Sequence, residues 1–587
     1  MIGKSENEMF NEIVMMLERY SNLDDLNAFL SAKTGIRDFF HSKKDFEEFK
    51  KFITKSHIVE YNAKDIGDFQ TPIHLTDKIC SLLVDMGVRP NIILEPTCGQ
   101  GNFVISALKI FPSVEYIYCV DIQRKYEQLF KLNILKLSLE RNINAKIEFH
   151  WDNIFTHRFS DEFLKYLENS DSELLILGNP PWATNSKLSV LNSTNLPPKS
   201  NIKKYRGIEA LTGKSNFDIA EFIILEMLKR FSSKKGKLAM LCKTSVIKNI
   251  VRDIFNFSLM ISNLEALLIN TKKEFGINAE GALFLADLGI GQQAVCTVSS
   301  LYNPEKKIKK FGWINDKFVS DINLYQKYNY LDGRSFFEWR QGVKHDASKI
   351  MILYRDANGT LRNSFGEVVD VEKERVYPFI KGSELRKPVV VNTSKSIIIT
   401  QTSLNENTDY IATKYPKLWH YLISHSTYLD KRKSAIYKRR PRFSIFGIGT
   451  YSFKPYKVAI SGLYKLPNFS LILPIDGKPV MLDDTCYYLS FDNSTEAIFI
   501  WALFNSQIVR NFLTSIAFLD TKRPYTKEIL MRIDIAKVAE QIKFDEVLNL
   551  YQRNLKHILK EEIKEESFKA FQDSLRLNVF NKPKILE

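Results

Sequence analysis

The chain has 587 residues, 44% of them apolar and 26% charged, and a net charge of +15. That length exceeds what one hydrophobic core serves, so two large domains with helical extensions are expected. The basic balance invites a polyanionic partner, although a merely basic surface gives the same number. No apolar run reaches the roughly 18 residues of a membrane span, Gly281–Ile290 being too short, and the N-terminus lacks the apolar core of a signal peptide. Cysteines at 80, 98, 119, 242, 296 and 486 form no Cys-x-x-Cys and no zinc-spaced cluster with histidine. A reduced cytoplasm and no metal site are therefore expected.

Residues 1–60 read as a helical extension. Ile13, Met16, Leu17 and Tyr20 share one face, as do Phe46, Phe49 and Phe52. Asp45, Glu48 and Lys50 make an acidic-x-Lys fragment, but the segment is too short for a nuclease fold and the spacing fits a solvated helix face. Gly67–Pro72 follows, then a helical pattern from His74 to Met86. Thr71 is placed to cap that helix, with proline at its first position, and free N–H groups there suit a carboxylate.

Four strand-like runs come next, each ending in a polar residue. Asn91–Leu94 leads into Glu95-Pro96-Thr97-Cys98-Gly99-Gln100-Gly101 and a helix from about Phe103 to Ile110. Such a glycine pair lets a ligand approach the backbone, although the spacing is not the dinucleotide fingerprint. Tyr116–Asp121 ends in a carboxylate where α/β nucleotide binders hold ribose hydroxyls. Lys146–His150 delivers Asp152-Asn153-Ile154-Phe155; Asp152 can accept from an adenine amine while Ile154 or Phe155 covers the ring. Leu174–Leu177 is a buried run cut off by Gly178-Asn179-Pro180-Pro181-Trp182. The tetrad Asn179–Trp182 suits a flat ring bearing an amine: the Asn179 side-chain oxygen and the Pro180 carbonyl can each accept one N–H, Pro181 stiffens the turn, and Trp182 can stack on the ring.

The order of these pieces resembles the gamma class of DNA N6-adenine methyltransferases, strongly over about residues 60–290. Gly67–Pro72, Glu95–Phe103, Asp121, Asp152 and Asn179–Trp182 look like its motifs X, I, II, III and IV. The resemblance implies a Rossmann-like α/β methyltransferase domain, with S-adenosyl-L-methionine as cofactor, and a C-terminal α+β DNA target-recognition domain. It implies that Thr71, Glu95, Cys98, Gly99 and Gly101 lie near the methionine part, Asp121 at the ribose and Asp152 at the adenine amine. Ile122, Asn153 and Asn179 are expected on the cofactor side as well. Cys98 is read as small and apolar, since direct transfer needs no nucleophilic thiol. Trp182 stands where many members have tyrosine; both stack. Phe275, before the strand Ala282–Leu288, occupies the position of a second aromatic against the target base. The implied substrate is double-stranded DNA, with the target base swung out of the helix at a cost of roughly a few kcal/mol.

The segment Ala183–Ser215 is polar and reads as a loop beside the site. Asn216–Phe231 contains an amphipathic helix, and Gly236–Leu241 another strand. Past about residue 300, short alternating strands, aromatics and basic residues replace the helix–strand rhythm. Lys381 and Arg386 lie in a segment resembling target-recognition domains. Lys438, Arg439 and Arg440, and then Lys522 and Arg523, sit in basic stretches interleaved with aromatics and are expected on DNA phosphates. Asp483-Asp484 lacks partner carboxylates for a metal. The expected division is a helical extension (1–60), a catalytic domain (61–300), a target-recognition domain (301–535) and a helical C-terminal segment (536–587).

The reading is thus a prokaryotic, cytoplasmic, nucleoid-associated, monomeric DNA adenine-N6 methyltransferase, with any cognate restriction endonuclease encoded separately. Cytosine-N4 methylation is the first alternative, because the same tetrad can hold either amine. Methylation of RNA or of a protein glutamine is the second; enzymes of those kinds are usually shorter, and the long basic C-terminal half favours a duplex.

Overall fold

The computed structural model describes residues 6–55, 69–169, 171–183, 218–438 and 440–580. Gly67, Arg439 and the loop expected at 183–215, from residue 184 on, lie outside the described residues. The chain forms two compact units, Met1–Phe318 and Val319–Glu587.

In the first unit, helices α1 (Glu6–Leu17), α2 (Leu23–Thr34), α3 (Lys43–Lys55) and α4 (Ile73–Asp85) precede strand β1 (Ile92–Glu95). Then α5 (Asn102–Ile110), β2 (Tyr116–Asp121), α6 (Arg124–Glu140), β3 (Lys146–Trp151), α7 (Asp161–Glu168) and β4 (Leu174–Gly178) alternate. They are followed by α8 (Ile219–Phe231), β5 (Gly236–Lys243), α9 (Thr244–Asp253), β6 (Ile261–Ile269), α10 (Thr271–Phe275) and β7 (Gly281–Leu288). Strands β8 (Val295–Ser300), β9 (Lys309–Ile314) and β10 (Lys317–Val319) complete one sheet, in the order β10-β9-β8-β6-β7-β5-β4-β1-β2-β3. Strands β1 to β5 run parallel and β7 enters antiparallel between β5 and β6.

The strands β1, β2 and β4 are buried at every position, as expected when helices cover both faces of a parallel sheet. Alternation divides their side chains. Ile93, Ile117, Ile147, Leu175 and Leu177 join a core with residues of α1 to α6. Tyr116 and Tyr118 face the other way, onto Phe163 of α7. The N-terminal helices are part of this unit: Ile13, Leu17, Leu30 and Phe49 are buried in that core, and Ile147 N–H donates to the Gly35 carbonyl (2.8 Å), which covers the edge of β3. The unit also runs past residue 300, because β8 pairs in parallel with β6 and β9 pairs with β8.

The second unit holds two five-stranded sheets. One places Arg340–Gln341, Cys486–Phe491, Tyr456–Ser461, Phe469–Ile472 and Val389–Val390 side by side; the other is centred on Lys395–Ile398. Ser494–Phe504, Gln507–Ile516, Ile535–Gln541, Phe544–Asn554 and Glu565–Phe580 are its longer C-terminal helices. Among the described residues, no helix is long and apolar enough to cross a membrane.

Candidate active site

Neighbours of β1 lie on opposite sides of it, β2 and β4, so the chain reverses its direction of winding there. Open α/β sheets bind ligands at the carboxyl ends of strands at such a point. A cavity occupies this place, lined by Thr71, Glu95, Cys98, Gly99, Asp121, Ile122, Asp152, Asn179 and Pro181 among others. Most of the residues expected on the cofactor side are therefore brought together. Gly101 and Asn153 support the wall without lining it. The lining also contains Phe69, Gln70, Thr97 and Asn102, which lie inside the two glycine-containing motifs without having been singled out, and Gln123 and Ile223, which lie outside every motif.

The glycine loop is held by its neighbours. Gly101 adopts φ +85°, and a Cβ there would meet the Phe130 ring at 2.6 Å; Gly99 adopts φ +53° against the Gln70 amide. Gln100 N–H donates to Gln70 Oε1 (3.2 Å) and Asn102 Nδ2 to the Thr71 carbonyl (2.7 Å), which ties residues 70–71 over the loop. Thr71 does not cap α4: Pro72 takes that position without a side-chain bond. The Thr71 hydroxyl accepts instead from Asn179 Nδ2 (3.2 Å), so the amide of the tetrad takes the group that the helix start would have used.

The carboxylates have distinct environments. Glu95 is 2% exposed, its Oε2 has no hydrogen-bond partner among the described residues, and burial pushes its pKa well above the ordinary carboxylate range. Thr97 Oγ1 is likewise buried and unpartnered. Such orphaned polar atoms on a cavity wall fit a ligand that carries a cation and donors. Asp121 accepts from Gly99 N–H (2.9 Å) and Gln123 N–H (2.8 Å), tying the end of β2 to the glycine loop. Asp152 accepts from Asn153 N–H (2.7 Å) and His157 Nδ1 (2.8 Å). Cys98 is buried, and burial pushes its thiol pKa up, so it stays protonated and apolar in character.

Asn179 follows β4 and is half-buried. Its Nδ2 donates to the Phe69 carbonyl (3.1 Å) and to Thr71, while its Oδ1 accepts from Trp182 Nε1 (2.9 Å). Pro180 is buried; Trp182 is 6% exposed and meets Phe275 edge-on, with ring centres 5.6 Å apart. Neither aromatic lines the cavity described above, and the indole is packed on most of its surface. Lys243 Nζ, at the end of β5, donates to the Trp182 carbonyl (3.0 Å) and to Asp218 Oδ2 (2.6 Å). Asp218 in turn caps α8, so the exit of the tetrad is anchored to the next helix.

In the second unit, two of the expected basic stretches converge on one hairpin. Arg386 Nε donates to Tyr464 Oη (2.9 Å), Lys465 Nζ to the Thr521 carbonyl (3.1 Å), and Tyr525 Oη to the Lys465 carbonyl (2.8 Å). Lys465 and Lys522 are exposed, and Lys381 is half-buried. Arg523 pairs with Asp484 (3.6 Å), and Asp483 accepts from the Thr485 N–H (3.1 Å), so both aspartates have structural roles. Lys438 and Arg440 stand on a different loop, where Arg440 bonds Asn405.

Fold and loop order together define a class: a Rossmann-like α/β methyltransferase with an appended α+β unit. A family model described as N-6 DNA Methylase matches residues 36–251. Over 488 residues the chain is 38% identical to Type II methyltransferase M.NspV of Nostoc sp. (strain ATCC 29411 / PCC 7524), covering 83% of this chain and 99% of that one. The chain belongs to the restriction–modification N6-adenine DNA methylase family, and S-adenosylmethionine is its cofactor. Two solved structures are also similar. The type IIL restriction–modification enzyme MmeI in complex with DNA has a TM-score of 0.48 and 12% identity, over 98% of this chain and 79% of that one. A type I restriction–modification methyltransferase subunit from Streptococcus thermophilus has a TM-score of 0.31 and 11% identity, over 50% and 76%.

Proposed function

We propose that this DNA methyltransferase modifies the N6 amine of an adenine swung out of duplex DNA, as the modification partner of a separately encoded endonuclease. The observation that carries the reading is the Asn179 amide, held with its oxygen as an acceptor at the edge of the cofactor cavity.

Bound S-adenosylmethionine supplies a methyl group on a positively charged sulfur. The unpartnered Glu95 Oε2 is suited to the cofactor's ammonium, Asp121 to the ribose hydroxyls and Asp152 to the adenine amine, with Ile154 and Ile223 against the ring. A target amine is a poor nucleophile while its lone pair is delocalised into the base. Asn179 Oδ1 and the Pro180 carbonyl accept its two hydrogens and draw them out of the ring plane, so the lone pair localises toward the methyl. The transfer is then direct, helped by positioning and by acceptors suited to charge developing on nitrogen. Trp182 and Phe275 form the aromatic wall against which the base is held. Lys381, Arg386, Lys465, Lys522 and Arg523 supply phosphate contacts that are independent of base identity.

Single-molecule sequencing of DNA from a host expressing the chain tests the reading. One sequence motif marked at adenine is expected, and no mark with Asn179→Ala, which retains S-adenosylmethionine binding in calorimetry. A mark on cytosine would replace adenine by the N4 reading. Loss of cofactor affinity in Asn179→Ala would overturn the assignment of that amide to the target base.

A further inference from the structure

We infer that the indole N–H of Trp182 locks the Asn179 side chain in its amine-accepting orientation, making Trp182 a positioning residue as well as a wall of the base pocket. The inference rests on the amine-holding role proposed for Asn179.

A primary amide has two ends of nearly equal shape, and only its oxygen can accept from an incoming amine. Three contacts decide which end points where. The indole nitrogen can only donate, and it lies 2.9 Å from Oδ1. The Phe69 carbonyl can only accept, and it lies 3.1 Å from Nδ2. The Thr71 hydroxyl, 3.2 Å from Nδ2, takes the second amide hydrogen. Turning the amide over would set the indole N–H against an NH2 group and the Phe69 carbonyl against an oxygen. One orientation alone satisfies both partners. An sp2 oxygen offers two lone pairs, so Oδ1 keeps one for the substrate N–H.

The indole is itself held in place. It is 6% exposed, Phe275 packs on its edge, and a Cβ at Gly281 would run into its six-membered ring. Lys243 fixes its backbone carbonyl (3.0 Å). A phenylalanine at this position keeps an aromatic wall but has no donor. Asn179 then loses the contact that holds its oxygen in place, and the near-attack geometry degrades while the base still enters.

The test is Trp182→Phe, together with the full-length enzyme carrying β-(3-benzothienyl)alanine at position 182, an isostere with sulfur in place of the N–H. Steady-state kinetics on duplex DNA are measured beside calorimetry with S-adenosyl-L-homocysteine, thermal melting, and fluorescence of a duplex with 2-aminopurine at the target. The expected result is a kcat lowered roughly 10–100-fold in both variants. KM for DNA, cofactor affinity, melting temperature and the 2-aminopurine signal should stay near wild type. An unchanged kcat in the isostere variant overturns the inference. A loss confined to KM and to the 2-aminopurine signal also overturns it, because the ring would then act only as a platform. Full transfer by Asn179→Ala would instead remove the underlying role, and the inference with it.

Discussion

His157 connects the cavity at the strand ends to the core through a chain of hydrogen bonds. The Asp152 carboxylate can only accept, so Nε2 of the neutral His157 ring accepts from Tyr118 Oη (2.7 Å), which itself accepts from Ser160 N–H (3.2 Å). The imidazole proton is thereby placed on Nδ1, which donates to Asp152. Burial pushes the His157 pKa down, which keeps the ring neutral in this tautomer. Burial alone would push Asp152 up, but the bonds from His157 and Asn153 outweigh it and hold the carboxyl below its usual range. A hydrogen bond to a charged group contributes about 1.5–3 kcal/mol, but the Asp152 side chain is 46% exposed and water replaces part of it, so His157→Phe should weaken S-adenosyl-L-homocysteine binding about 3–10-fold. The preference over S-inosyl-L-homocysteine, whose ring presents a carbonyl in place of the amine, should shrink with it. Calorimetry with both ligands measures this, and an unchanged ratio would detach Asp152 from the adenine. Asp152 was legible in the sequence because it follows a strand. His157 was not, since its partners Tyr118 and Asp152 lie on different elements.

At the scale of elements, the tetrad and the glycine loop were readable because each follows a continuous apolar run and is broken by Gly or Pro. A local rule failed where a distant group competed for the same atom. Thr71 looks like a helix cap until Asn179, 108 residues away, takes its hydroxyl. The hairpin between Tyr456–Ser461 and Phe469–Ile472 shows the converse. It has no dense basic pattern, yet it joins Arg386 to the Thr521–Tyr525 loop. If this cluster contacts phosphates, Arg386→Ala and Lys522→Ala should weaken DNA binding alike for specific and unrelated duplexes. Each should also reduce the salt-dependence slope by about 1. Filter binding or anisotropy across a salt series checks this; a loss limited to the methylated motif would mean base contact instead.

For the whole molecule, pH acts on stability through buried titratable groups in both units. Lys457 is fully buried in the second unit, with Nζ donating to the Lys454 carbonyl (2.8 Å), and burial pushes its pKa down to about 7. In the unfolded chain a lysine holds its proton to about pH 10. Unfolding therefore takes up a proton between these values, and the Lys457 contribution to stability rises with pH. Above about pH 8.5 the buried thiols act in the opposite sense, since their folded pKa values are raised and the unfolded chain ionises first. The clean window is pH 7 to 8, where Lys457→Met should lose a rise of about 1 kcal/mol. Denaturant unfolding of both proteins at the two pH values measures the difference, and parallel slopes would refute it.

Strand-end carboxylates, the glycine loop and Asn179–Trp182 were determined by sequence alone, because apolar runs and their breakers act within a few residues. Tertiary structure decided what no local pattern encodes. It set the orientation of the Asn179 amide, the burial of Trp182 against Phe275, and the inclusion of the N-terminal helices in the first unit. The physical reason is the range of the forces. Backbone preference and hydrophobic period are local, whereas an amide chooses its partners from whatever donors and acceptors the sheet brings together.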